Sequence, residues 1–355
     1  PVSTLGTPRI GPRRELKFAL EDYWSGKSDF VSLQEKASAL RCANWARQRS
    51  LGVDNVPSND FSLYDHVLDT CVMVGAIPEI YDWQGGLIEP ATYFAMARGD
   101  TQEESCCGKT TQKGIPALEM TKWFDTNYHY MVPELSSEQH FTLASTKAVD
   151  EFREAKALGF KTRPVLLGPV TFLKLSKGTE AGFDPLSLLD RLLPVYGEVL
   201  RQLRDSGAEW VQVDEPCLVL DLNDVDRVAL KKTYQVLGKA VPNLRLMLTT
   251  YFGGLGDNLQ TALSLPVAGL HVDLVRAPEQ LDAVIVGANP DQVISLGVID
   301  GRNIWRADLQ AIYDRIAPAI ASRGAALFEI APSCSLLHVP IDLEQESDLD
   351  ADLRS

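Results

Sequence analysis

"PLSLLDRLLPVYGEVLRQLRDSGAEWVQVDEP", residues 185 to 216, joins an amphipathic helix to a strand apolar enough to be buried on both faces. In "LLDRLLPVYGEVLRQL" the apolar residues fall three and four apart, and Gly207 follows as a stop signal. Pro194 is expected to kink this helix or to break it. "EWVQVDEP" (209–216) is short, rich in valine and closed by two carboxylates. Strands of a parallel sheet covered on both sides read this way.

The same unit recurs along the chain. Eight strand-like segments can be counted: "STLGTPR" (3–9), "NVPSNDF" (55–61), "RPVLLGP" (163–169), "EWVQVDEP" (209–216), "LRLMLTTYF" (244–252), "GLHVDLV" (269–275), "VISLGVIDG" (293–301) and "ALFEIAPSC" (326–334). Helical patterns lie between them, as in "RVALKKTYQVLGKA" (227–240) and "RADLQAIYDRIAPAIASRG" (306–324). Alternating strands and helices define the α/β class. A count of eight favours closure into a (β/α)8 TIM barrel over a doubly wound sheet.

The regularity fails between strands two and three, where residues 62–162 form a long insertion, far beyond an ordinary loop. It contains the polar run "GDTQEESCCGKTTQKG" (99–114), expected to be mobile, and then "EMTKWFDTNYHYMVPE" (119–134). The aromatic run follows a strand-to-helix position, so it is expected to overhang the C-terminal face of the barrel, where barrel ligands bind.

Composition narrows the partners. The 355 residues carry 34 Lys and Arg against 48 Asp and Glu, a net charge of −14. That balance argues against nucleic acid or an anionic membrane surface as main partner, but not against a small anion held by a local basic cluster. The six cysteines have irregular spacing and no CxxC pair, which points to reduced thiols and a cytoplasmic setting. No apolar run has the length of a membrane span, and the first residues lack a signal-peptide pattern.

Two groups of residues could carry chemistry. "RIGPRRELK" puts Pro12 where a first helical residue is expected, followed by Arg13, Arg14, Glu15 and Lys17. Cations in a first turn oppose the helix dipole unless an anion sits there, so the segment is either a solvated basic turn or an anion clamp. Arg14 and Lys17 are three apart and share a face. The second group stands at strand ends: Asp214 and Glu215, Asp273, Asp300 with Arg302, and Cys334 with His338. Cys334, His271, Asp273 and His338 are the candidates for a metal, but one thiol without paired spacing makes satisfied hydrogen bonds the stronger reading. There is no GxSxG elbow, P-loop or GxGxxG fingerprint at the right place.

Taken together, "LGTPRIGPRRELK", "EMTKWFDTNYHYMVPE", "LLGPVTFL", "VQVDEP", "LTTYF", "GLHVDLV", "GVIDGRNIW" and "SCSLLHVPIDL" closely resemble the N-terminal half of the cobalamin-independent methionine synthases, from Leu5 to about Leu353. The resemblance implies a protein about twice this length, built of two face-to-face barrels. It then implies a first barrel over residues 1–345 and the start of a connection over 346–355. The family transfers a methyl group from 5-methyltetrahydropteroyltriglutamate to homocysteine, with zinc and homocysteine in the second barrel. Where that barrel has its His-x-Cys strand, this chain has "LTTYF"; Asp273 stands at the Glu position and only Cys334 matches a ligand. The resemblance therefore implies no zinc and no catalytic residue in this half, which alone is expected to be inactive. It assigns to this half a grip on the folate triglutamate through Arg14, Glu15, Leu16, Lys17 and Lys122, with Asn127 and His129 near the same cleft. Trp123, Phe124 and the tyrosines then serve to fix the loop that carries Lys122. A free-standing barrel that binds the folate tail without catalysis is the alternative, and an independent enzyme using Asp214, Glu215 and Cys334 is a weaker third.

Overall fold

The computed structural model describes residues 1–106 and 109–354, with side chains outside 101–113. Seven parallel strands lie side by side in chain order: β1 (Val56–Ser58), β2 (Thr162–Leu167), β3 (Trp210–Asp214), β4 (Arg245–Thr249), β5 (Gly269–Asp273), β6 (Val293–Ile299) and β7 (Phe328–Pro332). Residues Leu246 to Leu248 of β4 and all of β5 are buried, as strands covered on both faces should be.

The expected first strand, 3–9, is shorter than its sequence suggests and starts earlier. Only two isolated bridges form, Val2 with Ile330 of β7 and Ser3 with Asn55 beside β1. Ser3 N–H donates to the Ile330 carbonyl at 3.0 Å and Asp54 N–H donates to the Val2 carbonyl at 2.9 Å. The N-terminal segment thus lies between the two edges of the sheet and closes the barrel. Gly6 and Pro8 favour early departure, since glycine weakens a ladder and proline cannot donate to it. β1 is also shorter than 55–61, because Asn59 turns out of the strand at φ 60.

Closure has a polar centre. Arg163 of β2 meets Glu329 of β7 in a fork of two bonds, 3.0 and 2.9 Å, and a third bond of 3.3 Å reaches the Ser3 hydroxyl. That hydroxyl donates in turn to Glu329. All three residues are buried. Burial alone would raise the Glu329 pKa, yet the guanidinium holds it below the ordinary carboxylate range.

The helix read at 185–207 begins with a 3-10 turn over Pro185–Leu188 and is regular from Leu189 to Asp205. Pro194 lies inside it and does not end it. Leu192, Leu193, Tyr196, Val199, Leu200 and Leu203 are buried on both sides of the proline, so tertiary packing carries the helix through. Near the N-terminus, α1 (Glu15–Trp24) packs through Leu16 and Leu20 on Leu33, Ala37 and Leu40 of α2 (Phe30–Ser50). The insertion holds α3 (His66–Val74) and α4 (Pro90–Arg98), and α5 (Lys147–Ala157) leads back to β2. Between α4 and the aromatic run, Asp100–Cys106 pairs antiparallel with Lys109–Ile115. Of the run expected to be mobile, Cys107 and Gly108 lie outside the described residues.

Replacing Arg163 with Met strands the buried Glu329 carboxylate and is expected to cost about 3–5 kcal/mol in urea unfolding. The double replacement R163M/E329L should recover most of that loss. A single variant as stable as the parent would show that the pair does not hold the barrel shut.

Candidate functional site

The aromatic run forms a small lid over the mouth of the barrel. Met120–Lys122 pairs antiparallel with His129–Met131, and the turn between them brings Trp123 inward. Trp123 is 2% exposed and meets the His66 ring edge-on at 4.4 Å, the Phe124 ring at 5.1 Å and the Tyr130 ring at 5.7 Å. Such edge-to-face contacts add to the burial of the rings themselves.

Two carboxylates dock the lid. Asp65 caps α3 by accepting the Leu68 N–H at 2.9 Å, and it also accepts the Met131 N–H at 3.0 Å and the Tyr128 hydroxyl at 3.1 Å. Burial pushes its pKa up to about 6, against these three bonds. Asp125, on the outer side, accepts from Arg276 at 2.8 Å and from Arg302 at 2.7 Å. Arg302 also donates to the Asp125 carbonyl at 3.0 Å. Burial opposes the Asp125 charge, but the two guanidinium groups together outweigh it, so its pKa is lowered.

Under the lid lies a cavity of about 70 Å³ walled by His66, Trp123, Tyr128, Asp214, Tyr251 and His338 among others. Asp214 accepts from Gln212 at 2.8 Å and from the Tyr251 hydroxyl at 3.0 Å, and burial pushes its pKa up to about 7. His66 and His338 are both pushed down to about 4, chiefly by burial. Arg9 ties the N-terminal segment to this wall through the carbonyls of Ser62 at 2.9 Å, Leu63 at 3.2 Å and Tyr64. Two non-glycine residues here hold left-handed backbone, Phe124 at φ 52 and Phe252 at φ 76, with their rings 5.6 Å apart. Backbone held in a sparsely populated region needs surroundings that enforce it. The Arg302 guanidinium over the Phe252 ring at 5.3 Å and the His338 ring at 5.4 Å supply them.

The strand-end candidates are taken up by the fold. Glu215 accepts the N–H groups of Val170 at 3.2 Å and Thr171 at 2.7 Å and the Tyr234 hydroxyl at 3.3 Å, while burial pushes its pKa up to about 7. A side chain on Gly168 would stand 2.1 Å from the Glu215 carboxyl carbon, so only glycine fits there. Asp273 accepts three backbone N–H groups, from Phe252, Val275 and Arg276, and Asp300 accepts the Arg302 N–H at 2.8 Å. His271 is fully buried beside the Ser295 hydroxyl at 2.8 Å, and the buried Cys334 thiol is pushed up to about 12. Such a thiol is a poor nucleophile and a poor metal ligand at neutral pH. Among the described residues no group of three or more His, Cys, Asp or Glu could hold a metal ion, so the donors here do not fit zinc.

The basic segment is built differently from its expected form. Pro12 is the second residue of a turn closed by Arg14 N–H donating to the Gly11 carbonyl at 3.1 Å, not the first of a helix. Glu15 is the first helical residue, and Arg14 caps it in left-handed backbone at φ 63. The Glu15 carboxylate folds back to accept the Arg13 N–H at 2.9 Å. A side chain on Gly11, itself at φ 86, would meet that carboxylate at 2.2 Å. Leu16 is fully buried, and its N–H donates to the Ile10 carbonyl at 3.0 Å. Arg14 and Lys17 remain exposed on the same turn, Lys17 loosely facing Glu21 at 3.7 Å. Lys122 stands exposed on the lid strand opposite His129, whose Nδ1 lies 3.1 Å from the Asn127 carbonyl oxygen. Arg14 and Lys17 thus share one element, while Lys122 belongs to another. Among the described residues neither Arg14 nor Lys122 pairs with a carboxylate.

The structure is thus a barrel of parallel strands whose mouth carries a docked aromatic lid, with Arg14, Lys17 and Lys122 exposed on the basic turn and on the lid. The chain belongs to the family described as "Cobalamin-independent synthase, N-terminal domain", whose profile matches residues 1–323. It is 65% identical over its whole length to a 5-methyltetrahydropteroyltriglutamate–homocysteine methyltransferase of Nitrobacter winogradskyi, and spans 47% of that protein. The like-named protein of Caulobacter vibrioides is 62% identical over 99% of the chain, which covers 46% of it. The chain thus spans about half the length of these relatives. A B12-independent methionine synthase structure from Shewanella, 12% identical, superimposes with a TM-score of 0.65 over 96% of this chain and 92% of that one. At that identity the likeness concerns the fold.

The imidazoles give a pH test. A histidine whose folded pKa is depressed favours the folded state above its unfolded value near 6.5, and that contribution is lost as pH falls toward 4. Proton NMR should show His66 and His338 titrating below pH 5. Midpoints near 6.5 would mean that the lid leaves both rings in water.

Proposed function

We propose that this chain is the N-terminal, folate-polyglutamate-binding half of an enzyme that moves a methyl group from 5-methyltetrahydropteroyltriglutamate to homocysteine, giving methionine. The observation that carries this reading is the match along the whole chain, at 65 and 62% identity, to relatives named for that transfer. The relatives' printed name specifies a triglutamate, a chain of several carboxylates. Arg14, Lys17 and Lys122 are suited to it: Arg binds carboxylates in a fork and Lys as a point charge. Glu15 and Leu16 shape the turn that presents the first two cations. Arg14 is held in left-handed backbone at the start of α1, and its side chain is exposed.

On this reading residues 1–345 form the first barrel, with its insertion over 62–162, and 346–355 lead toward a second barrel. That barrel is the partner of this one and carries homocysteine, zinc and the transfer itself in the cytoplasm. No step of the reaction is assigned to residues of this half. Its contribution is positional, since binding energy at a remote tail can orient the reacting end of a substrate.

In the full-length enzyme, the triple variant R14E/K17E/K122E is expected to raise KM for the triglutamate at least about tenfold while leaving KM for homocysteine unchanged. Raising salt should weaken the parent's preference for triglutamate over monoglutamate and leave the variant flat. Unaltered polyglutamate dependence in the variant would refute the assignment of these cations.

A further inference from the structure

A second cavity lies outside the barrel mouth. It measures about 610 Å³ and lies among α2, the start of α4 and the start of α5. That volume is in the range of sites for small organic molecules. Phe30, Phe61, Ile88 and Tyr93 give it apolar walls. Its charged lining consists of the carboxylates of Glu35, Asp69, Asp150 and Glu151 and the cations of Arg41 and Lys147.

Both cations are already engaged. Arg41 donates to Glu154 at 2.8 Å, faces Glu151 at 3.6 Å and lies over the Phe61 ring at 5.5 Å. Lys147 donates to the Asn59 side-chain oxygen at 2.8 Å and stands 3.3 Å from both Asp69 and Glu151. Burial opposes the charge of each, and the neighbouring carboxylates outweigh it. An anionic ligand would therefore have to displace a protein carboxylate.

The acidic side is not fully engaged. Asp69 accepts the Tyr93 hydroxyl at 2.7 Å through Oδ1, but its buried Oδ2 accepts no hydrogen bond and meets only Lys147. Glu35 and Asp150 stand exposed at the rim. Asp150 accepts only from the Thr146 hydroxyl at 2.6 Å. The lining thus combines aromatic walls with a surplus of negative charge: Asp69 is paired with Lys147, while Glu35 and Asp150 form no ion pair among the described residues.

We propose that this cavity is a second binding site, distinct from the tail-binding cations, for a small amphipathic amine: an apolar or aromatic body carrying a protonated nitrogen. The body occupies the space between Phe30, Phe61 and Tyr93. The ammonium group lies at the rim, where it is attracted by the exposed carboxylates of Glu35 and Asp150. Nothing in this site draws on the methyl-transfer reading, so either can fail without the other.

The test is calorimetric titration of the full chain with three probes of one shape: 2-phenylethylamine, 2-phenylethanol and 3-phenylpropanoate. The amine is expected to bind at one site, the alcohol about tenfold more weakly, and the carboxylate not measurably. The exposed pair E35Q/D150N should bring the amine down to the level of the alcohol. Val31→Trp adds a fluorophore at the cavity rim, and its emission should shift with the same midpoint as the heat. Equal binding of amine and carboxylate, an amine preference that survives the charge variant, or heat without a shift at the rim would each overturn the proposal.

Discussion

The Arg163–Glu329 pair sits where the ends of the sheet must meet. Among the described residues β1 and β7 do not pair directly, and the chain between them is the two-residue bridge at Val2 and Ser3. So short a bridge supplies few ladder bonds, and the guanidinium, the carboxylate and the Ser3 hydroxyl add a charge-assisted centre just inside it. A hydrophobic filling of similar volume could match its stability. It could not fix the register of a strand only two residues long, because apolar contacts are not directional. Specificity of closure is therefore the advantage of the polar centre, and a defined mouth at the C-terminal strand ends is its consequence.

The lid is held by the same logic with the two halves separated. Asp65 anchors it from within, where burial weakens the carboxylate and hydrogen bonds from Leu68, Met131 and Tyr128 offset the desolvation. Asp125 anchors it from the solvent side through Arg276 and Arg302, which come from the loops after β5 and β6. Exposed pairs of that kind are individually weak. Two guanidinium groups on one carboxylate, with one also gripping the backbone, restrict the lid tip more than either pair alone. The aromatic rings fill the space between the anchors, and the left-handed turns at Phe124 and Phe252 persist because that space is full.

Much of this was legible in the chain because periodicity survives folding. Seven of the eight strand segments were found in place, as was the break in the pattern that makes the insertion. The first strand was misplaced because a two-residue bridge leaves no periodic signal. Pro12 was read as a helix start because its preference for a first turn and for the second position of a β-turn look alike until Gly11 shows its positive φ. Asp65 could have been recognised in "YDHVLD", an Asp ahead of an apolar run being a helix-cap signature. The Asp125 clamp could not, since Arg276 and Arg302 lie 151 and 177 residues away. Of the strand-end carboxylates, Glu215, Asp273 and Asp300 tie down backbone N–H groups while Asp214 accepts from Gln212 and Tyr251, a distinction that only three-dimensional partners make.

On the proposed readings an acidic protein holds two opposite kinds of ligand, and its charge distribution accounts for that. With a net charge of −14, the far field of the molecule repels a polyanion, but that field is screened beyond about 8 Å in physiological salt. Local composition then decides. At the basic turn and on the lid, Arg14 and Lys122 face solvent without protein carboxylates, so an incoming carboxylate displaces only water. In the α2–α5 cavity both lining cations already face carboxylates while Glu35 and Asp150 stand at the rim, so the same anion would have to break an existing pair. Selectivity between the two places follows from which charges the fold has left unpaired, a property that neither net charge nor a count of basic residues reveals.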